Sequence, residues 1–401
     1  MGKLIVNKEK INSENINELI KICPFGAIEK INDTVQVSAA CKMCKICVKK
    51  GPSGVMEFIE EEKPKINKDL WTGVAVYVDH VNGEIHPVTY ELIGKAIELA
   101  KVIDHKVYAV FIGYDIKEKA EELLHYGVDE VIVYDEYELR DFRIEPYTAA
   151  FEKFINIYKP SSILVGATTI GRSLAPRVAA RFRTGLTADC TILDMKKNTD
   201  LIQIRPAFGG NIMAQIVNPN HRPQLATVRY KVMDAPVRNE NKCGEITLRS
   251  ISSEKLKSNI DVLKIIKKEM EASIADAEII VAIGRGIKSE KDMDLVREIA
   301  ERLGAHLAGT RPMVENGWID AKYQIGLSGR TVKPKLIFAI GISGAVQFTA
   351  GMNNSECIIA INNDPNAQIF DVAHYGLVGD LYEILPMLMS NIKNNNQVVY
   401  C

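Results

Sequence analysis

The stretch Gly326-Leu-Ser-Gly-Arg-Thr-Val-Lys-Pro334, followed by Leu336-Ile-Phe-Ala-Ile-Gly-Ile-Ser-Gly-Ala-Val-Gln347, decides how the C-terminal part of the chain is read. An apolar run ending in Gly341-Ile-Ser343-Gly344-Ala345 predicts a buried parallel strand whose C-terminal end turns sharply into a helix. Such a turn can seat an anion, because glycines let the main chain come close to a ligand and first-turn N–H groups lack intrahelical partners. Taken alone, so short a motif reads equally as an ordinary β–α turn. Its neighbours repeat the arrangement. Gly284-Arg285-Gly286-Ile287 follows a strand predicted over Glu278–Ile283, and Gly309-Thr310-Arg311 comes next. Ile361-Asn362-Asn363-Asp364-Pro365 follows a strand over Cys357–Ala360, and Ala373-His-Tyr-Gly-Leu-Val-Gly-Asp380 closes the set. In an open parallel sheet, strand ends of this kind converge on one crevice.

With these segments the chain closely resembles the α subunit of the electron-transfer flavoproteins, whose C-terminal domain holds FAD. The resemblance implies that Arg285 and Arg311 flank the flavin and that Ser328 directs its hydroxyl toward the flavin N5. It implies that Ser343, Gly344, Ala345 and Gln347 line the phosphate and ribityl part, and that Asn362 and Asp380 stand at the adenosine end. Thr310, Leu327, Gly329, Arg330, Thr331, Gly341, Ile342 and Leu381 complete the expected set. One residue departs from the family pattern. The histidine that usually follows the glutamine, beside the flavin pyrimidine ring, is Phe348 here, which leaves Arg311 to supply a cation on that side.

The 401 residues, 47% hydrophobic and 25% charged, suffice for two or three domains with cores of their own. Fifty basic against 51 acidic residues give a formal net charge of −1, which provides no basis for expecting nucleic acid or a membrane surface as partner. No apolar run approaches the length of a membrane span, and Met-Gly-Lys-Leu-Ile-Val-Asn-Lys has no apolar signal core, so a cytoplasmic location is expected. Val6 stands where an N-myristoylation motif needs Ser or Thr.

Four of the eight cysteines fall within the first 47 residues, which in a cytoplasmic chain favours a metal centre over disulfides. Cys41-x2-Cys44-x2-Cys47 matches three positions of the bacterial ferredoxin run C-x2-C-x2-C-x3-C-P, with Gly51-Pro52 at the fourth. Cys23-Pro24 ends an earlier run whose first three positions are Ser13, Ile16 and Leu19. In two-cluster ferredoxins the fourth cysteine of each run ligates the other run's cluster. Positions 13, 16, 19 and 51 are then the full ligand set of one lost cluster, and Cys23, Cys41, Cys44 and Cys47 that of a retained [4Fe–4S] centre. A structural zinc held by the same four thiolates is the chemical alternative. Lys42, Lys45, Lys49 and Lys50 read as a solvated face, with steering of an acidic electron carrier as the other reading.

After the charged linker Glu60–Lys65, strands and helices alternate. Strands are predicted at Val74–Val78, Lys106–Ile112, Glu130–Tyr134 and Ser162–Val165, and helices at Pro87–Val102, Glu118–Tyr126 and Glu145–Tyr158. The pattern is that of a doubly wound parallel sheet, yet Val78-Asp-His-Val-Asn-Gly83 lacks the G-x-G-x-x-G of a dinucleotide site. The family resemblance continues through Gly166–Arg177, Thr184–Cys190, Arg205–Asn211 and Pro219–Pro223, and implies a domain that docks the β subunit and binds no nucleotide. Arg172, Arg177 and His221 are read as interface residues and Cys190 as a packed side chain, because no nucleophile with a base beside it appears here. Ser252–Lys268 reads as the connection, and by resemblance the hinge, to the last domain.

The expected fold is α/β: a small α+β ferredoxin-like module (1–66), then two doubly wound parallel-sheet domains, one docking the β subunit (67–255) and one binding FAD (256–401). The resemblance implies an electron carrier in a heterodimer of the bifurcating type of anaerobic bacteria. FAD would exchange electrons with a β-subunit flavin reduced by NADH, with ferredoxin as one acceptor. The other partner would be an acyl-CoA dehydrogenase-like enoyl-CoA reductase or a lactate dehydrogenase subunit. A conventional electron-transfer flavoprotein serving acyl-CoA dehydrogenases, and a nucleotide-sensing scaffold, are the alternatives.

Overall fold

The computed structural model describes residues 3–59, 66–207, 212–266 and 273–394. The expected linker Glu60–Lys65, the end of the Arg205–Asn211 segment, and Lys267 and Lys268 lie outside the described residues. The chain divides into two compact units, Met1–Ile66 and Asn67–Cys401.

In the first unit, β1 (Lys3–Val6) pairs antiparallel with β4 (Met56–Ile59), and β2 (Ile28–Ile31) with β3 (Thr34–Val37). Helix α1 (Ser13–Ile22) is capped by Asn12, whose side chain accepts from the Glu14 and Asn15 amides, and a single turn, α2 (Ile46–Lys49), follows the cysteine loop. Ile16 and Leu19, expected where a second cluster's ligands once stood, are buried in the small core with Val35, Val55 and Met56. Gly51 belongs to the same locus. A Cβ there would lie 2.3 Å from the Cys47 carbonyl oxygen and 3.0 Å from Leu19 Cδ2, so this backbone has no room for a cysteine at position 51.

In the second unit a seven-stranded, wholly parallel sheet is built from β5 (Val74–Tyr77), β6 (Val107–Gly113), β7 (Glu130–Asp135), β8 (Ser162–Gly166), β9 (Leu186–Cys190), β13 (Gln224–Val228) and β14 (Glu245–Leu248). Between them β10 (Ile192–Met195), β11 (Leu201–Ala207) and β12 (Ile212–Val217) form a separate antiparallel sheet. The order of the large sheet is β9-β13-β8-β5-β6-β7-β14. Its central strands are buried at every residue because each face carries a cover of its own. Helix α3 (Val88–Ile103) lays Val88, Leu92, Ala96 and Leu99 on one face, and α4 (Ile144–Tyr158) and α5 (Thr169–Arg181) cover the other. The helix expected over Glu118–Tyr126 is a single α turn, Ala120–Leu123, passing into a 3₁₀ turn.

Strand order reverses between β5 and β8, the place where α/β sheets open a ligand crevice. Here side chains after the two strands bond to each other. The Thr168 hydroxyl donates to Asp79, which is buried, and the Asp79 amide donates to Thr89 Oγ1 at 3.1 Å. Burial pushes the Asp79 carboxyl up, and Thr168 opposes the rise.

The last sheet is also parallel, in the order β16-β15-β17-β18-β19, from β15 (Ile279–Ile283), β16 (His306–Gly309), β17 (Leu336–Ile340), β18 (Cys357–Asn362) and β19 (Tyr375–Val378). Helices α6 (Met293–Leu303) and α8 (Leu381–Asn394) cover one face. The other is covered by loops around Ile325, Val332 and Ile369 and by the one-turn helix α7 (Val346–Thr349). The sharp strand-to-helix turn expected after Ile340 is therefore five irregular residues, Gly341 to Ala345, and a single turn.

Candidate functional site

Order in the last sheet reverses between β15 and β17, and a cavity of about 710 Å³ opens at their C-terminal ends. The two ends approach closely: Gly286 N–H donates to the Gly341 carbonyl at 2.9 Å, and a Cβ on Gly286 would stand 2.5 Å from Gly341 Cα. Gly341 has φ +61°, which turns the chain away from the strand axis and leaves main-chain groups facing the opening.

Of the residues expected from sequence, Arg285, Thr310, Arg311, Leu327, Ser328, Gly341, Ile342, Ser343, Ala345, Gln347, Phe348, Asn362, Asp380 and Leu381 line this cavity. Gly329, Arg330, Thr331 and Gly344 do not. The Arg330 amide donates to the Gln324 carbonyl at 2.7 Å, and Gly344 backs onto the main chain at Ile369. Gly284, Gly286, Lys288, Pro312, Gln324, Ile325, Asn363 and Tyr382 line it in addition. Most of these adjoin an expected residue, whereas Gln324 carries no sequence signal of its own.

Gln324 Nε2 donates to Ser328 Oγ at 2.8 Å, which leaves the serine proton free to be offered elsewhere. The Leu327 amide donates to the Gln347 carbonyl at 2.8 Å, locking this loop to the one after β17. Asn362 is a staple: its Nδ2 donates to the Ile342 carbonyl at 2.9 Å and its Oδ1 accepts from the Asp364 amide at 2.9 Å. Asp380 accepts from the Tyr382 amide at the start of α8, and the Tyr382 hydroxyl donates to Asp292 at 2.7 Å while accepting from the Lys288 amide. Tyr382 in turn holds the Asp292 carboxyl below its ordinary value. Arg285, Lys288 and Arg311 face the cavity against Asp380, an excess of positive charge suited to an anionic ligand. Arg311 is mostly exposed and pairs with Glu315 at 2.8 Å. Phe348 is buried and gives the wall an apolar patch.

In the first unit Cys23, Cys41, Cys44 and Cys47 all line one hollow, of about 10 Å³. Met43 and Lys45 have φ of 51° and 61°, so the loop from Cys41 to Cys47 curls. The Ala27 amide donates to Cys23 Sγ at 3.3 Å and the Met43 amide to Cys41 Sγ at 3.4 Å. Burial, and then the Cys41 and Cys44 thiols, push the Cys47 thiol up. The donor chemistry suits a cluster, but the space between the thiols is no larger than a water. Among the described residues no group of three or more His, Cys, Asp or Glu is arranged to hold a metal ion.

Residues 74–253 match the electron transfer flavoprotein domain family, and residues 273–353 the electron transfer flavoprotein FAD-binding domain family. The chain is 62% identical to the lactate dehydrogenase (NAD(+),ferredoxin) subunit LctC of Acetobacterium woodii, over 98% of this chain and 94% of that one. It is 42% identical to the electron transfer flavoprotein subunit alpha of Thermoanaerobacterium thermosaccharolyticum, over 81% of this chain and 98% of the relative. The chain belongs to the electron transfer flavoprotein α-subunit family. This α subunit is also 38% identical to the acryloyl-CoA reductase electron transfer subunit beta of Anaerotignum propionicum, over 81% of this chain and 96% of the relative.

In this electron transfer flavoprotein α subunit the middle-domain residues that invite a catalytic reading have structural surroundings. Arg172 donates to the Ala167 carbonyl and to Asp189, while Arg177 and His221 are exposed. Cys190 is fully buried, and burial pushes its thiol up to about 12. No helix among the described residues is long and apolar enough to cross a membrane.

Proposed function

We propose that this α subunit carries FAD in the cavity between β15 and β17 and serves a flavin-based bifurcating complex of the lactate dehydrogenase type. It would exchange electrons with a β-subunit flavin reduced by NADH, while ferredoxin takes the other electron. The observation that carries this reading is the extent of similarity. The match to a lactate dehydrogenase (NAD(+),ferredoxin) subunit takes in 98% of the chain, whereas the electron transfer flavoprotein α subunit and the acryloyl-CoA reductase subunit match 81%. The family match begins only at residue 74, after the cysteine-bearing unit.

FAD, when bound, supplies the one-electron and two-electron chemistry. The chain's part is to hold and tune it. The close glycine contact at Gly286 and Gly341 fixes the turn whose residues 343–347 would receive the phosphate and ribityl part, and Arg285 and Arg311 would flank the flavin. Ser328, whose oxygen is already engaged by Gln324, has its proton to offer to the ring system, and Arg311 supplies the cation that Phe348 does not. The middle domain, a doubly wound sheet, serves as the β-subunit docking surface. The connection 252–268 is the hinge.

The first unit is read as a ferredoxin-like module with one [4Fe–4S] centre on Cys23, Cys41, Cys44 and Cys47. Support comes from the four thiols sharing one hollow and from the apolar filling at Ile16, Leu19 and Gly51, where a second centre's ligands would stand. Zinc is the competing occupant, and iron and sulfide analysis of protein purified without oxygen separates the two.

The decisive assay uses the chain co-purified with its β subunit and dehydrogenase subunit under anaerobic conditions. NADH is expected to drive ferredoxin reduction only when pyruvate is supplied as second acceptor. Ferredoxin reduction that needs an enoyl-CoA instead would point to a reductase complex, and none with any acceptor would leave a conventional electron-transfer flavoprotein.

A further inference from the structure

The contact between the two parallel-sheet regions runs through Arg229–Asp234, the segment leaving β13. Tyr230 donates to Asp276 at 3.0 Å, Lys333 pairs with Asp234, and Asn354 Nδ2 reaches the Lys231 carbonyl at 3.4 Å. Arg229 differs from these because it reaches the wall of the cavity. Its Nη1 donates to the Leu327 carbonyl at 3.0 Å, and its Nη2 to Asp189 Oδ2 at 2.9 Å.

The anchor is built for the purpose. Asp189 lies at an irregularity in the β9–β13 pairing with φ +55°, and its amide is held by Thr227 Oγ1 at 3.1 Å. That geometry presents both carboxylate oxygens outward: Oδ2 to Arg229, and Oδ1 to Arg172 at 2.9 Å. The Asp189 side chain is 22% exposed and that of Arg229 24%, so the pair is shielded enough to hold its geometry. At the far end Leu327 is held through both of its main-chain groups. Leu327 N–H goes to the Gln347 carbonyl and its C=O to the guanidinium.

We propose that Arg229 is a positioning residue for the flavin. Anchored on Asp189 of the seven-stranded sheet, it fixes the Leu327 carbonyl and so the direction in which Ser328 presents its hydroxyl to the cavity. The inference rests on the reading of that cavity as the FAD site. It makes the flavin environment depend on the relative placement of the two sheets, since Arg229 bonds to both of them.

The test uses full-length chain purified with FAD. Arg229→Ala and Asp189→Asn are expected to alter the visible circular dichroism of bound flavin, shift its reduction potential, and speed flavin release by roughly tenfold, the loss of one charged hydrogen bond. Arg229→Lys should restore part of the spectrum, because an ammonium can reach the carbonyl but not fork to both partners. Arg172→Ala, which leaves the Arg229 bond in place, should change none of these. Unchanged dichroism, potential and release rate in folded Arg229→Ala overturn the proposal, as does an equal effect from Arg172→Ala. A wild-type chain that takes up no FAD overturns the cofactor reading itself.

Discussion

Replacing Glu91 with glutamine should change the pH dependence of stability in a direction the structure dictates. Glu91 lies in the first turn of α3, buried, with its carboxylate accepting the Lys231 N–H at 3.1 and 3.0 Å. Burial pushes its pKa from 4.5 to about 7, outweighing the amides of Lys231 and Met233 and the Lys231 and Lys333 charges, which pull it down. Between those two values the folded protein holds a proton that the unfolded chain has released. The stabilisation is therefore fully present below 4.5 and is lost as pH rises through about 7. A shift of that size amounts to about 3.4 kcal/mol in total, of which about 2.5 kcal/mol falls between pH 5 and 8.5.

Glutamine has no charge to gain, so the stability of Glu91→Gln relative to wild type should rise by that amount across the interval. The absolute offset between the two proteins is immaterial, because every other titrating group cancels in the difference. In thermal unfolding the effect is about 4 °C for a cooperative unit of roughly 300 residues. Calorimetry or urea titration of both proteins at pH 5 and 8.5 measures it. A difference that stays constant within about 0.5 kcal/mol would show that Glu91 titrates normally, and the reasoning from burial would fail.

Three other outcomes are expected. Gly286→Ala drives a Cβ into Gly341 Cα, where neither backbone can yield, so it should cost about 1–3 kcal/mol of stability and most of the bound flavin, read from the flavin-to-protein absorbance ratio. Arg311→Ala and Asp380→Ala should each lower flavin occupancy at limiting FAD; full occupancy in both would contradict the site assignment. Cys44→Ser should reduce iron content sharply in anaerobically purified protein while Cys190→Ser leaves it unchanged, and equal iron in both would remove the cluster from the first unit.

The parallel strands were legible because a strand covered on both faces must be apolar throughout, and Val107–Gly113 and Ile279–Ile283 are runs of that kind. The loops at the end of the last sheet were legible for a related reason, since glycine and small polar residues directly after such a run have few other uses. Gln224–Val228 was missed as a strand although it lies inside the sheet, because it begins with a polar residue whose burial is offset by long-range bonds to Leu201, Thr199, Ser161 and Ser162. The cysteine spacing suggests a ligand set, and the structure adds that a Cβ on Gly51 would crowd Cys47 and Leu19.

What the sequence determined by itself is local: which apolar runs are buried strands and which turns need glycine. These follow from the backbone and from periodicity over a few residues. Only the tertiary structure decided that Gln324 engages Ser328, that Thr168 bonds Asp79, and that Arg229 reaches Leu327 from 98 residues away. Contacts at such separations depend on strand order and on where the order reverses. Those features arise when whole sheets pack, and no short window of sequence carries them.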